Sequence, residues 1–118
     1  MDDFNKDEIT LTMNEDGSLT IDPSPARKLR DEEEKVRFTT NQDQVFFYIQ
    51  FNGGSPLNGA EYTVSKGSPD EDTVRKEAEI RTFYYSVFAV QIIKPSKKLH
   101  KDSVRMAADA GCPSIIIR

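Results

Sequence analysis

The feature that most constrains the fold of this chain is a two-residue alternation of apolar and polar side chains, interrupted at short intervals by turn residues. In residues 9–13 and again in 19–22, apolar side chains occupy every second position, which is the period of a strand with one buried face. Asp16 and Gly17 lie between these runs and form a turn signal, because aspartate followed by glycine tolerates the positive φ of tight hairpins. Residues 9–22 therefore predict a β-hairpin.

The same alternation recurs along the rest of the chain and predicts seven or eight short strands in all. Prolines at positions 23 and 25 end the hairpin, because proline cannot donate to a sheet ladder. Residues 27–34 are dense in charge and fit a solvated loop or one exposed helical turn. Further strands are expected at residues 36–38, 45–51, 62–64, 82–93 and 114–118.

Two segments do not have a clear period. Residues 72–80 fit either a helix or an edge strand, and the surrounding strands favour the strand. The composition of residues 103–110 (SVRMAADA) predicts about two turns of helix within the long connection 94–113. Many short strands separated by turns are typical of an all-β, single Greek-key β-sandwich. We expect residues 1–8 to be frayed and residues 9–118 to form this one domain.

Simple counts exclude several kinds of site. One cysteine, Cys112, excludes an internal disulfide, and one histidine, His100, excludes any site that needs two imidazoles from one chain. We therefore assign no catalytic residue, no metal ligand and no cofactor.

The acidic start MDDFNKDE is not a secretory signal, and no apolar run approaches the ~20 residues of a membrane span. The expectation is a cytoplasmic protein with no membrane contact.

The order of these segments resembles that of bacterial cupredoxin-like β-sandwich domains. The resemblance lies in ITLTMNEDGSLTIDPSP, then KVRF, VFFYIQF, TFYYSVFAV and PSIIIR, and it covers most of the chain. It is a pattern of strands and turns, which an immunoglobulin-like sandwich would share. The resemblance implies the fold only, because the family's blue-copper site needs two histidines and a cysteine thiolate, and this chain has one histidine.

The connection at residues 94–113 contains two candidate sites. His100, Met106 and Cys112 could serve a small ligand carrier or enzyme as a soft metal or redox site, but a surface histidine with packed methionine and cysteine explains them more simply. The second candidate would bind an anion or nucleic acid through five cations: Lys94, Lys97, Lys98, Lys101 and Arg105. We favour a solvated loop, because no aromatic residues are interleaved with these cations and the whole chain carries a charge of −4.

Acidic residues are concentrated elsewhere in the chain. Residues 1–34 carry four basic and eleven acidic side chains, and carboxylates cluster at residues 31–34 and 70–72. Neither cluster has the spacing of a calcium-binding loop, so solvated acids are the preferred interpretation.

Aromatic side chains occupy both faces of two predicted strands, 45–51 and 82–93. One face must belong to the core, for which we predict Phe47, Ile49, Val87 and Ile116. A loop or the helix at 103–110 would cover the other face, or that face would bind a partner. The function we favour is a non-enzymatic binding or assembly module with a protein partner, a second copy being the simplest. Its candidate contact residues are Phe46, Tyr48, Tyr84 and Phe88.

Overall fold

The computed structural model describes residues 8–93, 103–108 and 113–118, in which ten β-strands form two sheets. Sheet A contains β1 (Glu8–Met13), β2 (Leu19–Asp22), β4 (Lys35–Thr39) and β7 (Asp70–Thr73). Sheet B contains β3 (Ala26–Lys28), β5 (Val45–Asn52), β6 (Glu61–Val64), β8 (Thr82–Ile93), β9 (Ser103–Ala108) and β10 (Ser114–Ile117).

Both sheets mix parallel and antiparallel pairs. Sheet A has the order β2-β1-β4-β7, with β4 parallel to β1. Sheet B has the order β3-β10-β8-β5-β6, with β3 parallel to β10. The strands β9 and β10 lie end to end along one side of β8, because β10 pairs with residues 82–84 and β9 with residues 88–93. The long strand β8 is therefore the centre of sheet B.

The core lies between the two sheets and is built from the inward-facing half of each alternating strand. Four aromatic rings meet there: Phe38 from sheet A and Phe51, Tyr62 and Tyr85 from sheet B. Their ring centroids are 5.2–6.3 Å apart in tilted and edge-to-face arrangements, the geometries that aromatic pairs prefer. The rings thus connect the two sheets directly.

The all-β class and the sandwich of two packed sheets are confirmed. The opening hairpin has the predicted turn, in which Asn14 N–H donates to Ser18 O at 2.8 Å and Gly17 has a φ of 91°. Phe47, Ile49 and Val87 are buried as predicted. Ile116 is not a core residue, because β10 turns its neighbours on either side, Ile115 and Ile117, towards the core instead.

Other sequence predictions were wrong. Residues 103–108 form strand β9 rather than a helix, since β8 extends beyond β10 and offers them a free edge. Residues 26–28 form strand β3, where a loop or a helical turn was expected. The expected strand at residues 72–80 ends early, with β7 covering residues 70–73 and a turn following at Lys76 and Glu77. The described strands number ten rather than seven or eight.

The frayed segment expected at residues 1–8 lies outside the described residues except for Glu8, which opens β1. Among the described residues, no helix has the length and apolar character needed to cross a membrane.

Candidate interaction face

The face of sheet B that points away from the core carries large apolar side chains. Strand alternation turns Phe47 and Val87 into the core and their neighbours outwards. Tyr48 and Phe88 are directly opposite each other on β5 and β8, and they remain 49% and 48% exposed. The sequence analysis did not decide whether this second face is covered. The structure leaves it accessible to solvent at both residues.

The register of the strands places further apolar residues beside this pair. Phe46 lies opposite Val90, and Val90 lies opposite Met106 on β9. We call the five side chains in these two adjacent rows the outer patch: Phe46, Tyr48, Phe88, Val90 and Met106. Three strands contribute to it, and β8 supplies its middle column.

The outer patch is comparable in area with the largest apolar patch on a typical monomeric protein. Met106 is 74% exposed, in addition to the half-exposed Tyr48 and Phe88. Since a free side chain of this kind presents roughly 200 Å², these three leave about 350 Å² of apolar surface accessible. Patches of about 300–600 Å² are the largest on a typical monomer and are often functional.

Tyr84, the fourth candidate contact residue, is exposed on the same face, but the strand register does not place it next to a residue of the patch. Between Tyr84 and Phe88 lies a polar row formed by Ser86 and Gln50. Tyr84 itself faces Asn52, whose side-chain amide donates to Ser86 Oγ at 2.7 Å. The structure thus groups Phe46, Tyr48 and Phe88 and places Tyr84 at a polar rim.

Met106 and Val90 are patch residues that the sequence analysis did not identify. Met106 was considered with His100 and Cys112 as a soft metal or redox site, whereas it lies on the outward face of β9. The signal was present in the sequence: apolar residues at positions 104, 106 and 108 have the two-residue spacing that is typical of one strand face.

The corresponding outer face of sheet A is polar. Its middle strands carry threonines, including Thr10 opposite Thr39. Arg37 forms ion pairs at 3.3 Å with Glu71 and at 3.5 Å with Glu8. The contiguous apolar patch that faces outwards from the described strands therefore lies on sheet B.

One carboxylate, Asp72 on β7, organises a network that joins the two sheets. Its Oδ2 accepts from the Tyr62 hydroxyl of β6 at 2.7 Å and from Gly59 N–H at 2.9 Å. Its Oδ1 accepts from Asn58 Nδ2 at 3.1 Å and from its neighbour Thr73 N–H at 2.8 Å. The sequence analysis did not identify Tyr62 and Asp72 as a pair, because their contact depends on how β6 and β7 pack.

The network shifts the ionisation of both partners. Burial raises the pKa of Tyr62 above its ordinary value of 10.0, and the hydrogen bond to the Asp72 carboxylate raises it further. Burial also opposes ionisation of Asp72, but the hydrogen bonds from Tyr62, Asn58, Thr73 and Gly59 outweigh it, so its pKa lies below 3.8. Both shifts favour a neutral tyrosine that is hydrogen-bonded to a charged aspartate. We therefore interpret this pair as one that stabilises the fold.

A shallow polar cleft of about 170 Å³ lies next to this network, and Asn58, Thr73 and Arg75 contribute to its lining. The Arg75 side chain donates to the carbonyl oxygens of Ser55 at 2.6 Å and Leu57 at 3.1 Å. Through these two hydrogen bonds, Arg75 stabilises the loop at residues 55–57.

The remaining candidate sites fall largely outside the described residues. These include His100, Cys112 and four of the basic residues, Lys94, Lys97, Lys98 and Lys101. Arg105 belongs to β9, but its side chain is not described. Both sites stay predictions.

The two acidic clusters lie in different surroundings. Residues 31–33 form a turn, whereas residues 70–72 belong to β7, where they take part in hydrogen bonds and ion pairs. Within residues 8–93, 103–108 and 113–118, no three histidine, cysteine or carboxylate side chains converge on a common point.

Comparison with known proteins found no relative of this chain. No protein-family model, no curated protein sequence and no solved structure matches this chain. The resemblance to cupredoxin-like or immunoglobulin-like sandwiches therefore stays a prediction, and the outer patch is the feature on which a function can be argued.

Proposed function

We propose that this protein is a non-enzymatic assembly module, two copies of which associate by packing their outer patches together. The observation that carries the proposal is the contiguity of the patch, in which two adjacent rows of three strands present apolar side chains outwards. Removing such a surface from water is favourable by roughly 25 cal/mol per Å² before the costs of association.

The charge and size of the patch support a second copy as the occupant. None of its five residues is charged, so two patches related by a two-fold axis oppose no like charges. A standard interface buries about 800 Å² on each partner. The accessible area of about 350 Å² supplies the apolar centre of such an interface, and polar residues border it on the side towards Tyr84, as in the rim of a typical interface. Gln50, Asn52 and Ser86 belong to this rim.

The test is the molar mass in solution, measured by light scattering and by analytical ultracentrifugation over a wide concentration range. Wild-type protein should rise from the monomer mass towards twice that mass as concentration increases. Phe88→Glu places a carboxylate in the middle column of the patch, where dimerisation would bury it unpaired. The variant should weaken association by about a hundredfold or more.

Thr39→Glu is the matched control, because it adds the same charge to an outward position on a central strand of sheet A. It should associate as the wild type does, and circular dichroism should show that both variants remain folded. A wild type that stays monomeric at every concentration, or equal weakening by the two variants, would refute the proposal.

A further inference from the structure

Two asparagine–glycine pairs occur in this chain: Asn52–Gly53 at the end of β5 and Asn58–Gly59 in the loop that follows. Such a pair can react with itself, because the backbone nitrogen of the glycine can attack the side-chain carbonyl carbon of the asparagine. Glycine permits this attack best, since it has no Cβ to obstruct the approach. The attack requires the glycine N–H to lose its proton, so a hydrogen bond from that N–H opposes the reaction.

At the second pair, the structure restrains both reacting groups. Gly59 N–H donates to Asp72 Oδ2 at 2.9 Å and lies 3.1 Å from the Tyr62 hydroxyl oxygen. Asn58 Nδ2 donates to Asp72 Oδ1 and to Thr73 Oγ1, each at 3.1 Å. Reaction at Asn58 would require these bonds to break first.

At the first pair, the restraints are much weaker. Asn52 is exposed at the end of β5, and no described residue accepts a hydrogen bond from Gly53 N–H. Gly53 has a φ of +73°, and the space where a Cβ would stand has no atom within 4 Å. The Asn52 side chain is held by one exposed hydrogen bond, from Nδ2 to Ser86 Oγ at 2.7 Å.

We propose that Asn52 is a site of spontaneous deamidation and that Asn58, six positions further along the chain, is protected by the Asp72 network. Gly53 N forms a bond to Asn52 Cγ, the bond from Cγ to Nδ2 breaks, and ammonia leaves with the proton that Gly53 N carried. A water molecule then opens the resulting succinimide ring at either carbonyl. The product is aspartate or isoaspartate at position 52, and no oxidant or reductant takes part.

The modification would place a carboxylate on the outer face of sheet B, near the outer patch, none of whose residues is charged. Asn52 faces Tyr84 and lies one row beyond Gln50 and Ser86, at the rim of the outer patch. Like charges would then oppose each other across a two-fold contact, so deamidated chains should associate more weakly. This consequence rests on the proposed function, whereas the reaction itself does not.

The reaction is tested on the full chain by incubation in mildly alkaline buffer followed by digestion and mass spectrometry. Trypsin cuts after Arg37 and Lys66, so both pairs lie in one peptide and their conversion is compared within the same molecule. Because hydrogen bonds to a charged acceptor protect Gly59 N–H, Asn52 should convert about ten- to a hundredfold faster than Asn58. Equal rates, or faster conversion at Asn58, would overturn the proposal.

Two variants and one solvent condition test the physical cause. Gly53→Ala adds a Cβ into open space and should slow conversion at Asn52, while Asp72→Ala should speed conversion at Asn58. In urea, where the network is lost, the two wild-type sites should convert at similar rates, and this comparison does not depend on whether the Asp72 variant folds. A difference of tenfold that persists in urea would overturn the role of the fold.

Light scattering on Asn52→Asp separates the reaction from its consequence. Weaker association than wild type is expected, while unchanged dimerisation would overturn the consequence for assembly. A monomeric wild type would refute the proposed function, and the ratio of conversion at the two sites would still decide the deamidation proposal.

Discussion

Replacing Asp72 with asparagine tests the network that joins the two sheets. The substitution keeps the shape of the side chain but exchanges one of its two acceptor oxygens for an NH₂ group. Four donors currently meet the two carboxylate oxygens, from Tyr62, Gly59, Asn58 and Thr73. Whichever way the asparagine amide is oriented, two of these donors lose their hydrogen bond to residue 72.

The expected cost follows from those two lost bonds and from the lost charge. A neutral hydrogen bond contributes about 1 kcal/mol, and one to a charged group about 1.5–3 kcal/mol. Because Asp72 is only half-buried, solvent screens part of this and water replaces part of the loss. We expect Asp72→Asn to lower the free energy of unfolding by about 2 kcal/mol and the melting temperature by roughly 5–10 °C.

The effect should depend on pH in a defined direction. The pKa of Asp72 in the folded protein lies below 3.8, its ordinary value, which serves for the unfolded chain. The stability contributed by its charged form is therefore present above pH 3.8 and is lost as the pH falls through the folded pKa. The difference between wild type and Asp72→Asn should be constant near neutral pH and shrink in acid.

Denaturant titrations at a series of pH values measure this difference, with Glu71→Gln as the matched control. That control removes the same charge from the adjacent position on β7, where Glu71 forms exposed ion pairs with Lys35 and Arg37. Exposed pairs are worth about 0–1 kcal/mol, so the control should cost less than half as much. Equal costs for the two substitutions, or a difference that grows in acid, would refute the reasoning.

Two further predictions concern the aromatic residues. Phe38→Ala should lower the free energy of unfolding by about 3–5 kcal/mol, because the ring is fully buried and contacts Tyr62 and Tyr85 across the sandwich. Phe88→Ala on the outer face should lower it by about 1 kcal/mol in the monomer. Comparable costs in chemical denaturation would contradict the assignment of inner and outer faces. Tyr62 has a raised folded pKa, so its contribution to stability is complete below pH 10.0 and is lost as the pH rises through the folded value. The phenolate absorbance of wild type minus that of Tyr62→Phe should therefore show no step at pH 10.0, and a step there would contradict the bonded, neutral phenol.

The sequence predicted the strands whose partners are close in the chain or whose alternation is long. The hairpin of β1 and β2 and the strand β8 follow directly from the period of two. The strand β3 does not, since it has three residues between prolines and a run of charge and pairs in parallel with β10. The paired residues Ala26 and Ile115 are separated by about three quarters of the chain, and local patterns contain no information about such a pairing.

The strand β9 shows why local preference can mislead. The segment SVRMAADA contains alanine, methionine and arginine, all of which favour helices in isolation. The stretch of β8 from Phe88 to Ile93 lies beyond the end of β10, and its unpaired edge accepts residues 103–108 as a strand. Hydrogen bonds to an available edge outweigh a helix preference of a few tenths of a kcal/mol per residue.

The outer patch depends on the same choice of structure. The aromatics of β5 and β8 were recognisable from the sequence, but whether a second apolar face is covered depends on what the rest of the chain places there. A helix at residues 103–110 was one candidate cover. As a strand, the segment lies beside β8 in the plane of the sheet, so it widens the apolar face with Met106 instead of covering it. The opposite sheet presents threonines and ion pairs to solvent at the equivalent positions. The outer patch is the part of these two faces that burial would stabilise most, which is why we propose that the assembly contact lies on sheet B.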